Sequence, residues 1–219
     1  MTVSQPVQCP SCGTVRVARA EPLDFCPACL LATALSMEDE SCPYQVLTPI
    51  GADPSAVTYL AQAPTRALGY VALKVWEPRD DMDEVLSRYQ DWKAPLARIR
   101  HPSIAKLLGV GLTEEGRLYV ASEYVAGWPL NAIGSHTSMG MSGQIEIARQ
   151  ITEALAAAHA VGVVHLKLDP SKVKISTTHG LHATILGLGS TLIVDGSEAQ
   201  REPDLAALAR LVRVLGIEL

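Results

Sequence analysis

The body of the chain begins with short strand-like runs and continues with longer helical ones, an order that restricts its fold to a sheet accompanied by helices. Three runs bounded by turn residues, at positions 44–51, 56–62 and 69–76, predict strands. The acidic start of residues 80–99 predicts a helix, because carboxylates are stabilised at a helix N-terminus. Pro95 is expected to break or kink that helix.

The second half of the chain is mostly helical. "KLLGVG" and "RLYVASEYV" predict two further strands, and "KVKIS" with "HATILGL" predicts a short hairpin. Residues 142–162 have the strongest helical pattern, with Ser142 as the cap and Gly162 at the end. Residues 203–216 predict a final helix, with Pro203 at its start and Gly216 at its end. The apolar face of the long helix carries Ile147, Ile151, Ala154, Leu155 and Ala158.

Composition excludes several classes of protein. Hydrophobic residues make up 48% of the 219 and charged residues 19%, which is typical of a globular chain. The formal net charge of −5 gives no general attraction to phosphate backbones, so we expect no nucleic-acid partner. No apolar run approaches the ~18 residues of a membrane span, and "MTVSQPVQCP" lacks the pattern of a signal peptide. We therefore expect no membrane association and a cytoplasmic location, where cysteines bind metal or remain free thiols.

Four of the five cysteines stand in two Cys-x-x-Cys pairs, Cys9 with Cys12 and Cys26 with Cys29. Each pair presents two thiolates from one turn, and together they close a tetrahedron around zinc. The pattern predicts a zinc ribbon in residues 1–42, with a structural metal that has no open position for substrate. The alternatives are four reduced cysteines packed as small hydrophobes, or redox-active dithiols.

The order of elements from about residue 44 to residue 216 resembles the bacterial Hanks-type serine/threonine protein kinases. "VALK" resembles their third-strand lysine motif, and "RHPSIAKLLGVG" resembles the turn after helix C. "LYVASEYVAG" resembles the fifth strand and hinge, and "IARQITEALAAAHAVGVVH" resembles helix E leading into the catalytic loop. The resemblance implies an α+β, bilobal fold in residues 43–219, with an antiparallel β N-lobe and a helical C-lobe truncated after helix F.

The resemblance also places the nucleotide-contacting positions. Lys74 matches the ATP-contacting lysine, and Glu123 and Val125 match the hinge. Of the three glycines in the phosphate-covering loop only Gly51 remains, and "GADPSA" is expected to form an ordinary β-turn. Asp53 stands at the second glycine position, where its charge would repel phosphate. These positions imply a vestigial nucleotide cleft.

The helix C glutamate that usually pairs with the ATP-contacting lysine falls on Trp92. The adjacent Asp91 points elsewhere, because one residue along a helix turns by about 100°. Lys74 is therefore expected to lack an ionic partner or to be a surface lysine.

The segment "GVVHLKLDPSKVKIS" resembles the catalytic loop of the family. It keeps the residues that support the loop and replaces those that take part in the reaction. His165 matches the structural histidine of the family, whereas Leu166 replaces an arginine that reads phosphate. Lys167 stands at the position of the catalytic aspartate. Lys172 stands at that of the metal-binding asparagine, and Gly187 at that of the main magnesium ligand. Magnesium requires oxygen ligands, which lysine and glycine side chains do not offer.

Three more residues bear on this comparison. Asp169 could act as a displaced base, but catalysis tolerates misplacement of only about an ångström, so pairing with Lys167 or simple solvation is favoured. Lys174 falls at the position that usually forms the apolar floor under adenine. The alternative is an alignment with the family that is shifted by one residue. Asp204 resembles the aspartate that opens helix F, and it follows Gly187 after a far shorter segment than an activation segment needs.

Together these departures predict a pseudokinase, which is a protein-kinase-like domain without catalytic activity. We expect it to act as an interaction or regulatory scaffold for a protein partner, such as an active kinase or another signalling protein. Zinc is the expected metal, and ATP with magnesium is not expected to bind. The alternative is a diverged serine/threonine kinase with ATP binding and residual phosphoryl transfer. A nucleic-acid role for the ribbon is disfavoured by its few basic residues.

Overall fold

The computed structural model of the protein describes residues 6–8, 15–17, 42–64, 69–135, 139–178, 180–196 and 200–217. The chain divides into two compact units. The sheet unit comprises Met1–Arg79 and Gly111–Tyr124, and the helical unit comprises Asp80–Val110 and Val125–Leu219.

A five-stranded sheet has the strand order β3-β4-β5-β7-β6, and four of its strands, β3, β4, β5 and β7, lie in the sheet unit. The first four of these strands in that order pair antiparallel. Apolar residues alternate along β5, where Val71, Leu73 and Val75 are buried. Because successive side chains in a strand point to opposite faces, Lys74 lies on the other face of the sheet. The strand bounds are Gln45–Asp53 for β3, Ala56–Gln62 for β4, Tyr70–Trp76 for β5, Leu107–Leu112 for β6 and Leu118–Glu123 for β7.

A two-stranded hairpin precedes this sheet in the sequence. Its strands are β1 (Pro6–Gln8) and β2 (Val15–Val17), which pair antiparallel with Gln8 opposite Val15. Residues 9–14 connect them.

The helical unit contains four α-helices, two 3₁₀ helices and a small sheet among its described residues. The small sheet has the strand order β10-β9-β8. In chain order the elements are α1 (Met82–Arg98), β8 (Trp128–Pro129), a 3₁₀ helix (Leu130–Ser135), α2 (Met141–Ala160), a 3₁₀ helix (Pro170–Lys172), β9 (Val173–Ser176), β10 (His182–Ile185), α3 (Ser190–Val194) and α4 (Glu202–Val214).

The apolar face of α2 forms the centre of the core of the helical unit. All five residues predicted for that face are buried to within 2% exposure, which confirms the helical period. Gly162 has a φ of 78°, so the left-handed residue predicted at the end of the helix is present. The predicted cap at Ser142 is wrong, because the helix begins at Met141 and Gly140 occupies the N-cap position.

Pro95 does not break α1, so of the two outcomes predicted from the sequence, a break or a kink, the break is wrong. The helix continues through the proline to Arg98. Trp92 and Leu96, one turn apart on either side of Pro95, both pack against the core of the helical unit. Burial of these two apolar side chains offsets the backbone hydrogen bond that the proline cannot make.

The elements follow the order predicted from the sequence, and their bounds differ from it by one to three residues at most ends. No helix among the described residues has both the length and the apolar character required to cross a bilayer.

Candidate functional site

The segment that matches the phosphate-covering loop is a tight hairpin turn between β3 and β4. Pro54 and Ser55 form the turn, and Asp53 is paired with Ala56 across it. One carboxylate oxygen of Asp53 accepts hydrogen bonds from the Ser55 amide at 3.0 Å and from the Ser55 hydroxyl at 2.9 Å. A Cβ added at Gly51 would meet no heavy atom within 4 Å, so packing does not require glycine there. The turn is held by Asp53, whose carboxylate is fixed in place.

Lys74 has a partner, and the prediction of an unpaired lysine is wrong. Its Nζ donates to the second carboxylate oxygen of Asp53 at 2.6 Å and lies 4.9 Å from the centre of the Trp76 ring. The hydrogen bond from Lys74 holds the pKa of Asp53 well below its ordinary value. The lysine that would contact a nucleotide phosphate is thus bound to a carboxylate of the same unit.

Helix α1 carries an apolar side chain where the kinase resemblance calls for a glutamate. Trp92 is half-buried and packs against the core of the helical unit, while Asp91 is exposed. Position 92 therefore contributes to packing and offers no carboxylate.

Arg88 joins α1 to the short helix α3. Its guanidinium donates to the carbonyl oxygens of Ile193 at 2.8 Å and Val194 at 3.1 Å, which are at the C-terminal end of α3. A cation at this end is favoured by the helix dipole and satisfies carbonyls that have no partner within the helix. A Cβ added at Gly189, just before α3, would lie 2.6 Å from Leu96 on α1. The two helices are closely packed.

The backbone of the catalytic-loop segment is held by one buried carboxylate. Asp204, at the start of α4, is fully buried. It accepts hydrogen bonds from the amides of His165 at 2.8 Å and Leu166 at 2.7 Å, and it lies 2.9 Å from Nε2 of His159. Leu166 has a φ of 66°, a left-handed conformation that side chains with a Cβ rarely adopt. Asp204 therefore stabilises a strained turn.

His165 is part of this framework. Burial lowers its pKa, so the ring is neutral and its Nε2 donates to the carbonyl oxygen of Leu186 at 2.8 Å. Its buried Nδ1 has no hydrogen-bond partner among the described residues. The geometry gives His165 a structural role between two loop segments.

Lys167 forms an ion pair with Asp195, the residue that follows α3. Pairing with Asp169, which the sequence favoured together with simple solvation, does not occur. Asp169 instead caps the following 3₁₀ helix by accepting the Ser171 amide at 2.7 Å. The position of the catalytic aspartate thus carries a cation, and the nearest acidic residue in sequence holds the backbone.

The two positions of the magnesium ligands lie close together without offering side-chain oxygen. The carbonyl of Lys172 accepts the Leu186 amide at 2.8 Å, directly before Gly187. Gly187 has a φ of 75° and begins the turn that leads into α3. The structure brings these two predicted site residues together, and their side chains are an ammonium group and a hydrogen atom.

Lys174 and the hinge complete the positions implied by the kinase resemblance. Lys174 lies on β9 between the buried Val173 and Ile175, and its Nζ donates to the carbonyl oxygen of Gly127 at 3.1 Å. Burial lowers the pKa of Lys174. Glu123 is exposed at the end of β7 in the sheet unit, and Val125 is the half-buried first residue of the second segment of the helical unit.

The cysteines predicted as zinc ligands, Cys9, Cys12, Cys26 and Cys29, lie outside the described residues. The zinc site stays a prediction.

Sequence reasoning missed Arg88, Asp195 and His159. Arg88 contacts residues 105 and 106 positions away, and Asp195 lies 28 residues from Lys167. No local pattern marks such pairs. His159 had a detectable signal, because a histidine on the buried side of a predicted helix requires a polar partner.

No protein-family model matches the chain. Serine/threonine-protein kinase Pkn3 of Myxococcus xanthus is 31% identical over 132 residues, which are 58% of this chain and 24% of that protein. A probable serine/threonine-protein kinase, PknB, of Lactococcus lactis is 27% identical over 151 residues, which are 68% of this chain and 24% of the relative. The chain thus matches about a quarter of the length of these curated relatives.

The same similarity holds in three dimensions. The crystal structure of the Mycobacterium tuberculosis PknI kinase domain superposes with a TM-score of 0.61 at 25% sequence identity. The superposition covers 80% of this chain and 74% of the PknI chain. The curated relatives named above are bacterial serine/threonine-protein kinases, the structural neighbour is a bacterial kinase domain, and the body of this chain has a protein-kinase-like fold with an antiparallel sheet and helices.

Proposed function

We propose that this chain is a catalytically inactive kinase-like domain that acts as a protein-interaction or regulatory scaffold. The observation that carries the proposal concerns two lysines, one at the position of the ATP-contacting lysine and one at the position of the catalytic aspartate. Each forms an ion pair with a carboxylate of its own unit. Lys74 is paired with Asp53 in the sheet unit, and Lys167 is paired with Asp195 in the helical unit.

Phosphoryl transfer needs a cradled triphosphate, oxygen ligands for magnesium, and a carboxylate near the acceptor hydroxyl. The segment at the cradle position is a tight turn closed by Asp53. Lys172 and Gly187 provide no side-chain oxygen, and Lys167 is a cation at the base position. The residues that hold the fold are intact, because Asp204 and His165 still organise the loop. A kinase-like fold that lacks the residues required for phosphoryl transfer supports a role in recognition.

The proposal includes the cofactor, partner and location. Zinc on the four N-terminal cysteines would be structural, and ATP with magnesium would not bind at useful concentrations. The partner would be a protein, such as an active kinase or another signalling protein, in the cytoplasm. The net charge of −5 argues against nucleic acid.

The purified chain is expected to contain one zinc ion bound by the four cysteines. Elemental analysis of the wild type should give about one equivalent, because two Cys-x-x-Cys knuckles form one closed tetrahedral site. A Cys9→Ser/Cys26→Ser double variant should lose most of it. Less than half an equivalent in the wild type, or undiminished zinc in the double variant, contradicts the site.

The chain is expected to transfer no radiolabelled phosphate, to itself or to a general acceptor, above the background of a Lys74→Met variant. Active kinases turn over at about 1–100 per second, so even a small residual activity is detectable. Turnover by the wild type that Lys74→Met abolishes would favour the diverged-kinase alternative.

Restoring the loop is not expected to restore activity. The triple variant Lys167→Asp, Lys172→Asn and Gly187→Asp returns the base and the metal ligands but places a carboxylate beside Asp195. It also puts a Cβ on a left-handed residue, which costs about 1–2 kcal/mol. Adding Asp195→Asn removes the repulsion and serves as the matched control. Transfer above background in either variant would show that the remaining differences do not prevent catalysis.

A further inference from the structure

We propose that Asp53 is a built-in anionic ligand of Lys74, which excludes external phosphate groups from that lysine. This inference rests on the proposed function, because it gives a physical cause for the absence of nucleotide binding. It goes further in assigning a binding-specificity role to one side chain. The sequence alone suggested only that Asp53 would repel phosphate.

The two oxygens of the Asp53 carboxylate have separate tasks. One accepts both hydrogen bonds from Ser55, at 3.0 Å and 2.9 Å, and so closes the turn. The other accepts the Lys74 ammonium at 2.6 Å. Because the turn fixes the first oxygen, the second is held in position for Lys74 without further loss of side-chain freedom.

An external anion must compete with this arrangement. The carboxylate is covalently part of the sheet unit, so its effective concentration at Lys74 reaches at least the millimolar range of a short tether. An incoming phosphate would also approach a second negative charge, unless Asp53 moved and gave up its hydrogen bonds with Ser55. The side chains of Lys74 and Asp53 are 29% and 42% exposed, so solvent and small anions can reach the pair. Exclusion therefore comes from occupancy of Lys74 and not from burial.

Lys74 also lies 4.9 Å from the centre of the Trp76 ring. A cation over an aromatic face is held in place by the ring as well as by the carboxylate. Removing the charge of Asp53 should therefore leave an ammonium group that is still positioned but has no anion. The expected ligand class for this uncovered lysine is a polyphosphate.

The experiment titrates the full chain with inorganic tripolyphosphate by isothermal calorimetry, in magnesium-free buffer. Asp53→Asn keeps an oxygen acceptor for Ser55 and replaces the oxygen that accepts from Lys74 by an NH₂ group, so it removes both the charge and that hydrogen bond. Asp53→Gly is a second variant that restores the residue of a phosphate-covering loop. Both variants are expected to bind at least about tenfold more tightly than the wild type, which corresponds to about 1.4 kcal/mol. Circular dichroism melting curves check that each variant is folded.

Two controls assign the effect to Lys74. Glu77→Gln changes the net charge by the same amount at an exposed position of the sheet unit and is expected to bind like the wild type. Adding Lys74→Met to Asp53→Asn should abolish the gain. Folded Asp53 variants that bind no better than the wild type, a gain that survives Lys74→Met, or an equal gain in Glu77→Gln would each overturn the inference. None of these outcomes bears on catalytic inactivity, which is tested separately by phosphate transfer from the wild type.

Discussion

Replacing Asp204 by alanine is expected to lower the free energy of unfolding by about 3–5 kcal/mol, the range for removing one partner from a buried charged network. The carboxylate is fully buried and accepts the amides of His165 and Leu166 at 2.8 Å and 2.7 Å. Without it, the buried amide of His165 and the partly buried amide of Leu166 lose their partner, and an unsatisfied buried group costs about 1–3 kcal/mol. The left-handed backbone of Leu166 loses its support at the same time. Guanidinium unfolding of the full chain, followed by circular dichroism, measures the change.

Two variants distinguish the effect on stability of losing the Asp204 hydrogen bonds from the general effect of removing an aspartate. Asp204→Asn keeps one oxygen acceptor but turns an NH₂ group toward a second donor, so we expect a loss intermediate between the wild type and the alanine variant. Asp91→Ala removes an exposed aspartate from α1 and should change stability by no more than about 0.5 kcal/mol. If Asp204→Ala unfolds at the same denaturant concentration as Asp91→Ala, the carboxylate does not hold the loop.

Much of the fold could be predicted because its signals are local and periodic. The buried face of α2 follows from the spacing of five apolar residues, and all five are buried. The glycines expected at the ends of α2 and α4, Gly162 and Gly216, have φ values of 78° and 77°. The break predicted at Pro95 is wrong because packing outweighs propensity: apolar side chains on both sides of the proline pack against the core, and α1 continues through it.

The candidate site was predictable only in part, for a physical reason. The sequence alone shows which positions offer no side-chain oxygen to magnesium, because that depends only on residue type. Which charges pair depends on how elements approach one another. Lys167 has an aspartate two residues away and another 28 residues away, and it pairs with the distant one. Asp169 is closer in sequence, but its carboxylate is already engaged with the backbone of its own turn.

The pairing of Lys74 was the most accessible of the missed contacts. Asp53 and Lys74 lie on β3 and β5, the two neighbours of β4, and a residue beside a two-residue turn is confined in direction. The sequence predicts for Asp53 only repulsion of phosphate, and the kinase resemblance places the usual partner of Lys74 on the following helix. An aspartate two residues before a serine at a turn predicts a fixed carboxylate, and a fixed carboxylate attracts the nearest cation.

Trp92→Glu is expected to destabilise the helical unit by about 2–4 kcal/mol, even though it restores the residue type of an active kinase. The tryptophan is half-buried and packs against the core, so the change removes apolar contacts and brings a carboxylate against apolar side chains. Trp92→Leu keeps an apolar side chain and should lose less than half as much. Gln90→Glu places the same charge at an exposed position of α1 and should stay within about 0.5 kcal/mol of the wild type.

Guanidinium unfolding of the full chain compares these three variants, and melting curves check that each has a cooperative transition. The expected order of stability is Gln90→Glu, then Trp92→Leu, then Trp92→Glu. If Trp92→Glu is as stable as Gln90→Glu, position 92 is a free surface site and the tryptophan is not part of the core. The expected order would mean that the position of the missing glutamate on α1 now packs against the hydrophobic core. Restoring a glutamate there therefore destabilises the helical unit.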